Sequence, residues 1–67
     1  NNTVLFDTLK ILIKNMGIRT KTAKELYLHR NTLFYRIKKI ESILDCSLDR
    51  EEKLIELGAA IRLYEVM

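Results

Sequence analysis

Between residues 29 and 36, the 67-residue chain concentrates side chains that form directed hydrogen bonds. The block comprises His29, Arg30, Asn31, Thr32, Tyr35 and Arg36. The planar guanidinium of an arginine can donate to two acceptors at once, and asparagine offers a donor beside an acceptor. Base edges and phosphate groups present such partners, so the block predicts contacts with a nucleic acid.

Several of these side chains also have an ordinary structural role. His29 or Asn31 could cap a helix by accepting a hydrogen bond from a backbone N–H. Arg30 is the best candidate for a guanine contact, with a phosphate contact as the alternative, and Thr32 suits a phosphate better than a base. Tyr35 is expected on the exposed side of its helix, which favours a nucleic-acid contact over a place in the core.

Charged side chains surround the block. Arg36 lies between the expected apolar and polar sides of its helix, so an ion pair with Glu25 or Glu41 is its alternative role. Three lysines are expected to contact phosphates: Lys21, Lys38 and Lys39. Residues 10–39 carry nine Lys or Arg against one acid, a net charge of +8, and residues 40–67 carry three against seven, a net charge of −4. This division is typical of a surface that meets a polyanion, and a solvated lysine-rich surface is the alternative.

The composition predicts an all-α domain. The chain has no proline and two glycines, too few for the tight turns of a sandwich or barrel, and 48% of its residues are hydrophobic. Helical periodicity divides the sequence into four segments. We therefore expect a compact bundle of four helices that contains a helix-turn-helix and forms one domain over residues 1–67.

The first helix should run from Thr3 to Asn15 or Met16. Gly17 then supplies the left-handed residue that commonly ends a helix. The apolar stripe of this helix comprises Leu5, Leu9, Leu12 and Met16. Their spacing lines up one side, which we expect to face the core.

A short second helix should begin between Thr20 and Thr22. Thr22 and Glu25 have the spacing of a capping box, and Thr20 is a competing cap. Ala23 and Leu26 should face inward, and the small Ala23 permits a close crossing by the next helix.

The third helix should carry the polar block. We expect it to start at Arg30 or Asn31 and to fray out over residues 45–48. Its apolar stripe comprises Leu33, Ile37, Ile40 and Leu44, and its opposite side carries Asn31, Tyr35, Lys38 and Ser42. Two short helices with a tight link, the second anchored along one side, form the helix-turn-helix plan, in which the second helix enters the major groove.

The fourth helix should begin after Asp49 as its cap, with Glu52 completing a capping box. Its core side comprises Leu54, Leu57, Ile61 and Tyr64. A second apolar set lies elsewhere, at Ile55, Ala59, Leu63 and Val66 and, on the first helix, at Val4 and Ile11. Because one small core does not need both sets, we expect a homodimer or docking on the rest of a parent protein.

Other residue patterns argue against several functional classes. A single cysteine, Cys46, and a single histidine cannot build a protein metal site, and Cys46 is expected as a small core residue. No nucleophile, base and acid come together in the sequence, so we expect no enzyme, no cofactor and no small-molecule ligand. Asp7, Lys10 and Lys14 interrupt the first apolar stretch, which argues against a membrane span. The start at Asn1 rather than Met indicates a fragment of a longer protein.

The run from Thr22 to Ile37 resembles the C-terminal helix-turn-helix of the PucR and CdaR families of bacterial transcription regulators. The shared pattern is Thr-Ala, Glu-Leu, an aromatic, an aliphatic, His, a variable residue, Asn-Thr-Leu, and Tyr-Arg with an aliphatic. Residues 5–9 resemble the family's first helix and residues 57–63 its closing one. The likeness therefore covers nearly the whole chain. The spacing within the helix-turn-helix is also similar to that of Fis-type helix-turn-helices.

The resemblance implies a cytoplasmic, nucleoid-associated regulator domain that binds specific double-stranded DNA. Base or phosphate contacts are implied for the residues from His29 to Arg36 named above. A helical protein–protein interaction module is the alternative. Two departures stand out. Tyr27 occupies a turn where many helix-turn-helices have glycine, although an aromatic residue there suits the PucR pattern, and Phe34 stands where the PucR pattern usually has arginine. Phe34 could touch a thymine methyl group or simply pack.

Overall fold

The structure, a computed structural model, describes residues 2–67. Four helices follow one another: α1 (Asn2–Lys14), α2 (Arg19–Glu25), α3 (Arg30–Leu44) and α4 (Glu51–Val66). The described residues contain no strand, and the predicted all-α bundle of four helices is confirmed. α1 packs against the other three helices, and α2 also packs against α3. None of these helices is long and apolar enough to cross a membrane.

The core forms where the apolar stripes of α1 and α3 meet. Its buried hydrophobic residues are Leu9, Leu12, Ala23, Leu33, Ile37, Ile40, Leu48 and Leu54. Most of them belong to the predicted stripes, and Ala23 faces inward as expected. Leu48 was not anticipated, because it lies in the link between α3 and α4, where helical periodicity says nothing. Its backbone N–H donates to a carboxylate oxygen of Glu41 at 2.8 Å, which draws the link against the end of α3.

Three residues of the predicted core stripes are exposed instead. Met16 lies beyond the end of α1 with a left-handed backbone, which turns its side chain away from the stripe. Leu44 is the last residue of α3, and Leu48 fills the core beneath that end of the bundle. Tyr64 forms a T-shaped ring contact with Phe6, with 6.1 Å between ring centroids, but it is otherwise exposed near the end of α4.

Gly17 lies in the link that follows α1 and has the left-handed backbone that was predicted for it. Its φ of 82° is left-handed, and its N–H donates to the carbonyl of Leu12 at 2.9 Å. A Cβ atom at this position would lie 2.9 Å from Cδ1 of Leu54. Glycine therefore serves both the turn and the close approach of α4 to α1.

The predicted capping box of α2 is wrong. The N-cap is Ile18, which precedes Thr20 by two residues and Thr22 by four, and it makes no side-chain cap bond, so both threonines lie inside the helix. Thr22 is buried, and its hydroxyl donates to the carbonyl of Ile18 at 2.9 Å. Glu25 accepts from Lys14 of α1 at 2.6 Å. Of the two residues that looked like a local cap, Thr22 is thus used inside its own helix and Glu25 between helices.

The predicted cap of α4 is also wrong. Arg50, not Asp49, is the N-cap residue, and no side chain caps the helix. Asp49 instead pairs with the guanidinium of Arg19 at 2.7 Å, which joins the start of α2 to the link before α4. Glu52 accepts from Arg50 at 2.8 Å. This hydrogen bond holds the pKa of Glu52 below its usual value.

Candidate nucleic-acid interface

The turn between α2 and α3 sets the angle at which the polar block is presented. Leu28 donates its N–H to the carbonyl of Ala23 at 2.9 Å, and Tyr27 donates to the carbonyl of Lys24 at 3.2 Å. Tyr27 has a φ of 56°, in the left-handed region that glycine adopts without strain. Its side chain is 95% exposed. The aromatic residue in the turn is therefore tolerated by the fold but is not packed into it.

His29 is the N-cap of α3, which settles the choice between His29 and Asn31. Its Nδ1 accepts the backbone N–H of Asn31 at 3.1 Å, and its backbone is extended. Arg30 is the first residue of the helix and is exposed. The cap thus fixes the backbone directly beside the side chain predicted to read a guanine.

The outer side of α3 carries the exposed part of the block. Asn31, Thr32, Tyr35, Lys38 and Lys39 are all exposed, whereas Leu33, Ile37 and Ile40 are buried on the other side. One stripe therefore anchors the helix and the remainder stands out from the body. This is the placement that a groove-binding helix requires. Contact with DNA at each of these side chains stays a prediction.

Arg36 lies at the border between these two sides and is half-buried. Its Nη1 donates to the hydroxyl of Thr8 on α1 at 3.3 Å, and that buried hydroxyl in turn donates to the carbonyl of Val4 at 2.8 Å. None of the ion pairs of residues 2–67 involves Arg36, so its alternative role as an ion-pair partner of Glu25 or Glu41 is wrong. Arg36 therefore tethers α3 to α1, and its DNA contact stays a prediction.

The cations near the block differ in whether a carboxylate pairs with them. Lys38 lies 3.6 Å from a carboxylate oxygen of Glu41 and 5.3 Å from the centroid of the Phe34 ring. Among the ion pairs of residues 2–67, none involves Arg30, Lys21 or Lys39. These exposed cations therefore keep their charge available to an anion.

The one acid within the basic segment does little to offset it. Glu25 is held by Lys14 at 2.6 Å and also accepts from Asn15 at 3.3 Å. The hydrogen bonds from Lys14 and then Asn15 keep the pKa of Glu25 below its usual value, so the carboxylate stays ionised near neutrality and is compensated locally. The net positive charge of α2 and α3 remains.

Phe34 is a part of this surface that the sequence left undecided. It is 59% exposed in the middle of α3, one turn after Arg30 and one turn before Lys38. The charge pattern gave no signal for Phe34, since an aromatic side chain carries no charge.

Within the described residues, no group of three or more His, Cys, Asp or Glu side chains could hold a metal ion. Cys46 is half-buried against the core.

Comparisons with known proteins give a consistent set of similarities. The family model of the PucR C-terminal helix-turn-helix domain matches residues 5–63. The chain is 36% identical over 63 residues to the purine catabolism regulatory protein of Bacillus subtilis (strain 168). That match covers 94% of the chain and spans 12% of the length of the relative. No solved structure gives a significant match.

Proposed function

The chain belongs to the family of PucR C-terminal helix-turn-helix domains, and on that premise we propose that it binds specific double-stranded DNA through α3. Domains of this family are DNA-binding parts of transcription regulators. The observation that carries the proposal is the division of α3 into a buried stripe and an exposed polar side. A helix held in this way can enter a major groove about 12 Å wide without dismantling the core behind it.

Sequence recognition is assigned to the first turns of α3. Arg30 is placed to donate its two-pronged guanidinium to O6 and N7 of a guanine. Asn31 and Tyr35 follow on the outer side, and Thr32 is suited to a phosphate. His29 caps the helix through Nδ1, so its Nε2 is assigned a contact with a base or phosphate.

Phosphate contacts are assigned to the surrounding cations Lys21, Lys38 and Lys39. Arg36 could add one more from its half-buried position while it keeps its bond to Thr8. Such contacts release condensed counterions, so they supply affinity that falls as salt rises and does not depend on sequence. They also hold the register in which Arg30 meets a base.

The partner protein is proposed to lie on α4. Its side away from α1 exposes Ile55, Ala59, Leu63 and Val66, which follow one another at helical spacing. Among the helices of residues 2–67, α4 packs against α1 and not against α2 or α3, so a partner there leaves the outer side of α3 open. A second copy, or another part of a longer parent protein, would cover this surface.

The biological setting follows from the same premise. We place residues 1–67 as the DNA-binding domain of a longer bacterial regulator that acts in the cytoplasm at the nucleoid and is related to CdaR as well as PucR regulators. The chain itself is assigned no catalytic step. A helical module that binds only proteins is the competing function, which the exposed apolar side of α4 favours.

Selection from a random duplex pool, followed by fluorescence anisotropy over a salt series, tests the proposal. DNA binding requires affinity that falls with salt, and sequence recognition requires the selected duplex to bind at least about 10³-fold more tightly than random duplex at the same salt. Salt-dependent binding without preference would indicate a non-specific binder. No binding to any duplex would leave the protein-interaction module.

A further inference from the structure

We propose that Phe34 determines sequence specificity by packing against the 5-methyl group of a thymine in the major groove. This inference rests on the proposed function, because it requires α3 to lie in that groove. It assigns a role to the position at which the chain carries an aromatic ring among polar and cationic neighbours.

The exposure of Phe34 is the first observation. The side chain is 59% exposed although Leu33 directly before it is almost completely buried. Exposing an aromatic ring to water is unfavourable, since burial of such a side chain is worth about 1.5–3 kcal/mol. The ring is thus available to a partner that can remove it from water.

The position of the ring indicates which partner. Phe34 lies between Arg30 and Lys38, each one turn away on the same flank of α3. The ammonium of Lys38 lies 5.3 Å from the ring centroid, which restrains the ring and keeps a cation beside it. A ring flanked by two cations is poorly placed to dock on an apolar protein surface, because docking would bury those charges. Next to a polyanion, both charges are favourable.

The chemistry of the groove narrows the partner further. Among the base edges of the major groove, thymine alone presents a methyl group; the other edges present hydrogen-bond donors and acceptors. An arginine at this position would donate to an acceptor, whereas phenylalanine has no donor and can gain only by covering the methyl group. Four residues along a helix correspond to about 6 Å, and successive base pairs are about 3.4 Å apart. The thymine should therefore lie within about two base pairs of the base that Arg30 reads.

Uracil substitution tests this contact directly, because uracil keeps every hydrogen-bonding group of thymine and lacks only the methyl. Each thymine of the selected duplex is replaced in turn by deoxyuridine, and the Kd is measured for the wild type, Phe34→Ala and Lys39→Ala. At one position the wild type should bind about fourfold more weakly, as expected for loss of one buried methyl group worth about 0.8 kcal/mol. The ratio of the Kd for the uracil duplex to the Kd for the thymine duplex should be unchanged in Lys39→Ala. In Phe34→Ala this ratio should be close to one.

The outcomes separate this inference from the proposed function. If Phe34→Ala still prefers the selected duplex and discriminates thymine from uracil as the wild type does, the methyl contact is wrong while the function stands. If no thymine is sensitive in the wild type, the inference is also wrong. If the wild type does not prefer the selected duplex over random DNA, the proposed function fails and the inference fails with it. Circular dichroism of both variants confirms the fold, which an exposed position should preserve.

Discussion

Arg30 and Lys39 both project from α3 into solvent, yet their losses should differ in kind. Arg30→Ala removes a two-pronged donor at the start of the helix, so binding to the selected duplex should weaken by about 1–3 kcal/mol and preference should relax at one base pair. Anisotropy with a panel of single-base variants of the duplex measures both effects.

Lys39→Ala is the matched control for that experiment. It removes one exposed cation from the same helix, so all sequences should weaken alike and the slope of log K against log salt should fall by about 1. A uniform loss in Arg30→Ala as well would demote Arg30 to a phosphate contact. Unchanged binding in both variants would argue against α3 as the bound helix.

Tyr27 offers a test of backbone strain that is independent of DNA. A left-handed backbone costs a residue other than glycine about 1–2 kcal/mol, and the 95% exposed ring has little packing to lose. Tyr27→Gly should therefore raise the free energy of unfolding by about 0.5–1 kcal/mol, after the greater flexibility of glycine in the unfolded chain is subtracted. Urea denaturation measures the change.

Tyr27→Ala separates strain from the ring. Alanine keeps the Cβ atom and hence the strain, so its stability should lie within about 0.5 kcal/mol of the wild type, as is usual for an exposed site. A large loss in the alanine variant would mean that the ring packs, in conflict with its exposure.

Sequence reasoning succeeded with single residues wherever the helical wheel was sufficient. The exposed positions of Asn31 and Tyr35 follow from their offset from the buried stripe of α3. It failed for Arg36, because Thr8, its hydrogen-bond partner, lies 28 residues earlier in the chain. No local pattern carries a contact of that range. The sequence left His29 and Asn31 as alternative N-caps of α3, and only the backbone geometry identified His29.

Helices α1 and α3 were predictable as elements because periodic apolar residues both form and orient them. The bounds of α1 differ from the expected ones by one or two residues, and α3 starts at Arg30, one of its two expected starts. The capping residues of α2 and α4 were not predictable in the same way, although both helices start close to the expected positions. Thr22 and Asp49 are good capping residues in isolation, but the fold uses one inside a helix and the other in an ion pair with Arg19. Tertiary contacts overrode the local signals.

The uncapped start of α4 gives a prediction at the scale of the helix. Arg50 has the extended backbone of an N-cap but no side-chain cap bond, so Arg50→Ser should supply an acceptor for the first-turn N–H groups. We expect a free energy of unfolding about 1 kcal/mol above that of Arg50→Ala. Both variants lose the exposed pair with Glu52, which is worth little. Equal stability of Arg50→Ser and Arg50→Ala would show that water satisfies the first-turn N–H groups as effectively as a serine side chain does.

On the scale of the whole molecule, the polar, basic side of α3 and the exposed apolar side of α4 lie on different helices. The net charge of +8 over residues 10–39 comes from the end of α1, α2 and most of α3, while α4 is acidic at its start and apolar along one side. The charge division was predictable from the sequence because it needs only counting. The packing of α4 on α1 alone was not predictable from the sequence, because any pair of amphipathic helices could have packed together.

Two copies joined through α4 would suit the dimensions of palindromic DNA sites. The body measures 32 × 22 × 21 Å, and paired recognition helices usually lie about 34 Å apart, one turn of DNA. An isologous contact between two α4 helices would set two bodies of this size side by side. The small Ala59 in the middle of the apolar side permits close approach of the two helices.

Leu63→Glu should therefore disrupt self-association without disturbing the fold. Leu63 is 65% exposed, so the change costs little within one copy, whereas in a dimer it buries a carboxylate in an apolar contact. Sedimentation velocity over a concentration series should show the wild type shifting from the 7.9 kDa monomer to a dimer, and Leu63→Glu remaining monomeric. Ala60→Glu makes the same charge change off the apolar side and should still dimerise. A wild type that stays monomeric at every concentration would contradict self-association of this chain, and a dimer unaffected by Leu63→Glu would place the interface elsewhere.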